Sequence, residues 1–293
     1  MTIVPHLWFN DNAIEAVTTY TKLFKDSKIN WQYTLKDTPS GDCDLVSFEL
    51  AGESMAAIAA GPYFQLNEAI SIMVGIQTKE EIDRLYQTLS QGGHDLMPLQ
   101  EYPFNPYYVW VADRFGLSWQ LLLMPDQEKT YSFEYSLLFS GDNCGRAADA
   151  LNYYADVFST KPNVIVPYPP GQAQDPRAKV AYGSVTLDDA YFTAMDHGYT
   201  GDKAFNEAFS FMLYCDSQEE LDYYWSKLSS EPKAEQCGWC KDQFGVSWQI
   251  IPSWLRSFYG NSSATQIEVV SKAMMPMKKL DDLALRQALA EVE

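Results

Sequence analysis

Histidine is scarce in this chain, at three residues, and basic side chains are outnumbered, 21 Lys and Arg against 39 Asp and Glu. The resulting formal charge of −18 argues against nucleic acid and anionic membrane surfaces as partners, because both require a basic face. Its simplest role is solubility. No apolar run approaches the length that crosses a bilayer, and the opening MTIVPHLWFND lacks the basic and apolar segments of a secretory signal. The five cysteines are odd in number and do not pair off, which points to free thiols in a reducing cytoplasm. No Ser/His/Asp order or nucleophile elbow is present. Cys237 and Cys240 form a C-x-x-C, yet they lie on a strand entering a hairpin rather than at a helix start, so they are read as incidental buried thiols.

What the chain has in abundance is aromatics, 8 Trp, 19 Tyr and 15 Phe, which suit strands and concave pockets. It also repeats itself. NEAISIMVGIQTKEEIDRLYQTL (67–89) aligns with NEAFSFMLYCDSQEELDYYWSKL (206–228), and AVTTYTKLF (16–24) with ALNYYADVF (150–158). A repeat of this length means a duplicated domain. The spacing predicts boundaries at 1–128 and 129–260, followed by a helical extension over 261–293. Each copy reads as two β-α-β-β-β modules, and the second module of copy 2 is shorter. Helices are announced by apolar residues at three- and four-residue steps and by Thr78-x-x-Glu81 and Ser217-x-x-Glu220, both capping-box patterns. The predicted fold class is α+β, curved mixed sheets with helices outside. The extension carries apolar residues at helical spacing and is expected to dock within the chain as a helix pair.

DRFGLSWQ (113–120) and DQFGVSWQ (242–249) agree at six of eight positions. Asp followed by Gly three residues later predicts a tight turn, with the Asp carboxylate accepting backbone N–H groups and Gly supplying positive φ. Beyond it the strand alternates, so Leu117, Trp119 and Leu121 should pack beneath helices while Ser118 and Gln120 face a concavity. Gln120 and Gln249, polar on an inner face, need a partner or a ligand. His94, in QGGHDL, is expected in a solvated loop.

The segments PHLWFNDNAIEAVTTYTKLFKDSKI, ADRFGLSWQ, KDQFGVSWQIIP and VVSKAMMPMKKLDDLAL resemble the PhnB-like, 3-demethylubiquinone methyltransferase-like group of the vicinal-oxygen-chelate superfamily, which includes glyoxalases, bleomycin-resistance proteins and dioxygenases. The resemblance covers nearly all the chain in two tandem copies. It implies glyoxalase-like domains whose paired modules form a cup around a small-molecule ligand. It also implies, in many relatives, a divalent metal held by His and Glu of the first, fourth, fifth and last strands. Here those positions fall on His6 and Ser136, on Ala57 to Ala60 and Asp196-His197, on Ser71 and Ser210, and on Gln120 and Gln249. No copy gathers three good ligands, so no metal and no other cofactor is expected. No G-x-G turn follows a first parallel strand, so the methyl-transfer label carries no visible donor site.

The expected function is therefore small-molecule binding without a metal, with a catalytic role left open and a metal-dependent lyase or dioxygenase as the alternative. Candidate cavity residues are His6, Trp8, Ser71, Trp110, Gln120, Asp196, His197, Ser210, Trp239 and Gln249. Because single-domain relatives commonly pair, the tandem chain is expected to carry an internal pseudo-dimer, with a further homodimer left open.

Overall fold

The structure is a computed structural model and describes residues 1–38, 40–199 and 201–292. Four modules follow one another. The first is β1 (Thr2–Phe9), α1 (Ala13–Leu23), β2 (Lys28–Thr38), β3 (Gly41–Leu50) and β4 (Glu53–Ala59); the second is β5 (Ile70–Ile76), α2 (Lys79–Leu89), β6 (His94–Tyr102), β7 (Asn105–Ala112) and β8 (Ser118–Leu123). The second copy supplies β9 (Tyr131–Phe139), α3 (Ala147–Val157), β10 (Pro162–Pro167), β11 (Val180–Leu187) and β12 (Ala190–Asp196). It continues with β13 (Phe209–Cys215), α4 (Gln218–Leu228), β14 (Trp239–Lys241) and β15 (Ser247–Pro252). The fourth module lacks one strand, as its shorter sequence predicts. Three helices close the chain, α5 (Leu255–Asn261), α6 (Ala264–Met274) and α7 (Asp282–Ala290). Among the described residues no helix is long and apolar enough to cross a membrane.

Two curved mixed sheets result, and neither is built from a single copy. One has the order β14-β15-β13-β1-β4-β3-β2, the other β10-β11-β12-β9-β5-β8-β7-β6. The first module thus joins the fourth and the second joins the third, through antiparallel pairs β1·β13 and β5·β9. The compact units follow the sheets. Unit 1 holds 1–21, 26–64 and 206–293, and unit 2 holds 22–25 and 65–205. The expected division at 128/129 therefore separates sequence copies, while the compact bodies exchange modules between them. The physical reason is that a module buries its open sheet edge against any homologous module, so sequence similarity does not say which pair associates.

The two octapeptides act as folded locks. Asp113 Oδ1 accepts from the backbone N–H of Phe115 (2.8 Å) and Leu117 (3.0 Å), and its Oδ2 accepts from Trp119 Nε1 (2.9 Å). Asp242 repeats this with Phe244 (2.8 Å), Val246 (3.1 Å) and Trp248 Nε1 (2.9 Å). Gly116 (φ 87°) and Gly245 (φ 88°) supply the left-handed residue of each turn. Trp119 and Trp248 are buried on the helix side of their strands, where Phe24 stacks on Trp119 and Phe211 lies against Trp248. The Trp-to-Asp bond ties the strand to its own turn, so turn geometry and core packing are set together.

The capping boxes form by half. Thr78 and Ser217 accept from the Glu81 and Glu220 backbone N–H groups. The Glu81 carboxylate instead takes Arg84 at 2.7 and 2.9 Å and the Tyr131 hydroxyl, and Glu220 accepts from the Asp216 N–H at 2.8 Å. For Glu81 the charged Arg84 outcompetes the N-cap N–H, whereas Glu220 reaches one residue further back, to the N–H before the N-cap. His94 begins β6 instead of lying in a loop, and it is exposed.

Candidate functional site

Unit 1 encloses a cavity of about 1030 Å³ on the concave face of its sheet. Strand alternation places the lining. On β1, Val4, His6 and Trp8 face inward, and His6 stands opposite Ser210 of β13 and Ala56 of β4. Next to β13, β15 contributes Gln249, paired with Trp239 of β14. Four of the ten candidate residues, His6, Trp8, Trp239 and Gln249, therefore line one cup, and a fifth, Ser210, lies buried behind its floor. They come from both sequence copies.

At the floor, Gln249 Nε2 donates to Ser210 Oγ at 3.0 Å, and Ser210 Oγ lies 3.4 Å from His6 Nδ1. His6 is 4% exposed, Gln249 5% and Ser210 0%. Burial disfavours the imidazolium and pushes the His6 pKa down to about 3, so the ring is neutral at physiological pH. Trp239 sets its ring edge-on to His6 at 5.4 Å and to Trp8 at 6.3 Å. Trp8 is fixed by its own Nε1 bond to the Gly61 carbonyl (2.8 Å) and by Phe64 at 5.2 Å.

The C-terminal helices complete the wall, a role the sequence reading did not assign to them. Leu255, Tyr259, Met274 and Met275 of this segment line the cavity. Arg256 Nη2 donates to Ser54 Oγ at 2.9 Å, and the rings of Tyr259 and Trp31 lie 5.7 Å apart. Gly260 is needed here, because a Cβ would meet the Trp31 ring at 2.6 Å. The extension is anchored through the C-x-x-C turn, where Cys237 N–H and Gly238 N–H donate to the Met277 and Lys278 carbonyls, each at 2.8 Å. Cys240 is buried, all five cysteines are free, and burial raises the pKa of both Cys237 and Cys240, so these thiols serve packing.

Unit 2 presents the related face without the same chemistry. Ser71 Oγ lies 2.9 Å from Ser118 Oγ, Trp110 Nε1 donates to Ser118 Oγ (2.7 Å), and Tyr108 OH donates to Gln120 Oε1 (2.6 Å). Gln120 thus has its acceptor engaged by Tyr108, whereas Gln249 opens into a cavity. Asp196 lies apart from this face. It is fully buried and accepts from four backbone N–H groups, Gly145 (2.8 Å), Ala147 (3.1 Å), Lys179 (2.9 Å) and Val180 (2.9 Å). This corrects its candidacy as a cavity residue, since a carboxylate saturated by backbone donors organises the fold. His197 follows it with Nδ1 buried and without a hydrogen-bond partner, its backbone held by the Phe139 carbonyl at 2.9 Å.

Glu134 was missed. It sits on β9 opposite Met73 of β5, two residues before Ser136, and burial raises its pKa to about 7. Comparing β9 with β1 only at His6/Ser136 hid it; extending the alternation by one step to Val4/Glu134 exposes the carboxyl. Between pH 4.5 and 7 the folded chain keeps this proton while the unfolded chain releases it, so stability falls as pH rises through that window. The total loss is at most roughly 3 kcal/mol. In urea titrations Glu134→Gln is expected to remove that slope; an unchanged slope would show that the carboxyl ionises freely.

The positions that the resemblance assigns to a metal fit one poorly. In unit 1 they carry one imidazole, a hydroxyl, an amide and alanines. Among the described residues no group of three or more His, Cys, Asp or Glu side chains is placed to hold an ion.

The family model described as 3-demethylubiquinone-9 3-methyltransferase matches residues 1–122 and again 132–251. A PhnB protein of Bacillus cereus is 33% identical over 42% of this chain and 100% of its own, with a TM-score of 0.40. Protein PA1353 of Pseudomonas aeruginosa is 24% identical over 42% of this chain and 97% of its own, with a TM-score of 0.38. Glyoxalase I of Zea mays is 10% identical, covers 89% of this chain and 98% of its own, and has a TM-score of 0.53. That last likeness extends to the tandem fold alone. No curated protein matches the chain significantly.

Proposed function

We propose, for a chain that belongs to the 3-demethylubiquinone-9 3-methyltransferase family in two tandem copies, that it is a small-molecule-binding protein whose working site is the unit 1 cup. The observation that carries this reading is the cavity of about 1030 Å³ with His6 and Gln249 at its floor. Its size is at the upper end of the roughly 300–1,000 Å³ of small-molecule pockets, and its mix of apolar walls with a few convergent polar groups is what such pockets have. Aromatic and methionine walls adapt to flat apolar ligands. The five free thiols suit a reducing cytoplasm.

No metal is required by this reading. Gln249 and Ser210 are weak ligands for a divalent ion, so a lyase or dioxygenase working through a bound metal is the second choice. Stoichiometric Zn, Ni or Fe in the purified protein would favour it. Methyl transfer finds no support, because no Gly-rich turn after a parallel strand is available to hold a methyl donor. Gln249 can orient a carbonyl or hydroxyl but cannot act as a general base, so binding is favoured over bond chemistry.

The test uses the neutral fluorescent probe N-phenyl-1-naphthylamine. Wild type should bind one equivalent per chain with enhanced emission. Ala56→Trp places an indole beside His6 and should weaken that affinity at least about tenfold, the loss expected when a bulky ring occupies the space of the ligand. Equal affinity in the two proteins would locate binding elsewhere.

A further inference from the structure

We infer that the floor of the unit 1 cup, where His6 and Gln249 flank Ser210, is built to recognise a neutral aromatic molecule carrying a hydrogen-bond acceptor next to a donor, as in an aromatic carboxamide or a hydroxyl beside a carbonyl. This deepens, and rests on, the reading of the cup as a ligand site. A chain of protons carries it. Gln249 Nε2 donates to Ser210 Oγ at 3.0 Å, and the fully buried Ser210 hydroxyl, for which an unplaced proton is costly, has His6 Nδ1 as an acceptor 3.4 Å away. A neutral imidazole that accepts at Nδ1 carries its own proton on Nε2. Among the described residues no protein group bonds His6 Nε2 or Gln249 Oε1, and both residues line the cavity. The floor therefore offers one N–H donor and one C=O acceptor, each on a side chain that is at least nine-tenths buried.

An unpaired donor and acceptor in a desolvated site select for a ligand that satisfies both. A carboxamide places its C=O on His6 Nε2–H and its N–H on Gln249 Oε1. An ionised carboxylate has acceptors only, so it would set an oxygen against Gln249 Oε1 and bury its charge at a floor with no cation. The cations lining the cavity are Lys233 and Arg256, and Arg256 bonds Ser54, two residues along β4 from Ala56 at the His6 level. Trp8 and Trp239 meet edge to face beside the floor, ring centroids 6.3 Å apart, and with Met212 on the adjoining strand they form an apolar wall against which an aromatic ring can lie.

The experiment displaces N-phenyl-1-naphthylamine from the full chain with 2-naphthamide or 2-naphthoate at pH 7.5, two ligands of one shape that differ in charge and donors. The amide is expected to bind at least about thirtyfold more tightly than the acid, as sites built around paired hydrogen-bonding groups discriminate. Gln249→Met, with its fold checked by near-UV circular dichroism, should narrow that gap to a few-fold. If the probe binds and the acid displaces it as well as the amide, or if the gap survives in Gln249→Met, the inference is wrong while the cup remains a ligand site. Acid preference abolished by Arg256→Gln would assign the site to an anion instead. Failure of the probe to bind would remove the ligand-site reading and the inference with it.

Discussion

Replacing Asp196 with alanine is expected to destabilise the protein by about 4 kcal/mol or more, the largest effect of any single change considered. The carboxylate is fully buried and collects four backbone N–H groups, two at the start of α3 and two at the entry to β11. Hydrogen bonds to a charged acceptor each contribute roughly 1.5–3 kcal/mol, and losing the acceptor leaves the donors buried without partners. Asp196→Asn keeps one oxygen but turns an NH₂ group toward two of the donors, so an intermediate loss is expected. Guanidinium chloride denaturation of the full chain, followed by far-UV circular dichroism, checks both. A loss below about 1 kcal/mol for the alanine variant would show that water or neighbouring carbonyls replace the carboxylate.

The second large effect concerns acid. The His6 pKa is held at about 3, well below the ordinary histidine value of 6.5, because burial disfavours the charged ring. Between pH 6.5 and 3 the unfolded chain binds a proton that the folded chain refuses, so stability rises with pH across this window. It is fully present above 6.5 and is lost as pH falls through 3, with an upper limit of roughly 5 kcal/mol. Carboxylates also respond to acid, so the useful quantity is the difference between wild type and His6→Gln, which cannot titrate there. That difference should shrink steadily from pH 7 to pH 4. A pH-independent difference would mean that His6 protonates readily in the folded cup, and the neutral floor would then be untenable.

Much of the fold was legible in the sequence, and for reasons that are local. The octapeptides announced their hairpins because an Asp that accepts backbone N–H groups and a Gly at positive φ act within four residues of each other. The indole bond from Trp119 to Asp113 was not foreseen, since the two-residue period of a strand says which face a side chain takes but not how far its tip reaches back. Module pairing was invisible for a different reason: β13 and β5 are homologous, so composition cannot decide which of them β1 joins. That choice in turn scattered the candidate site. His6 and Trp8 belong to the first copy, and Ser210, Trp239 and Gln249 to the second, so reading each copy as its own cup divided one cavity between two incomplete lists.

The wall from α5 and α6 was also beyond reach of the sequence. The apolar spacing after residue 261 promised docked helices, which Met274 of α6 bears out, but α5 with Tyr259 fell inside the expected second domain, and amphipathicity does not name the surface that receives a helix. Gln120 and Gln249 looked equivalent, and the difference lies in one neighbour. Both stand in the same register, opposite Met73 and Met212 and beside Trp110 and Trp239, but two residues before Trp110 is Tyr108, which donates to Gln120 Oε1 at 2.6 Å, and two residues before Trp239 is Cys237.

A crystal structure of the protein grown with 2-naphthamide tests the central claim most directly. The ligand is expected in the unit 1 cup with its ring against the wall of Trp8 and Trp239, its carbonyl on His6 Nε2 and its amide on Gln249 Oε1. No metal is expected between ligand and floor. A ligand bound elsewhere on the chain, or one bridged to His6 by a metal ion, would contradict it.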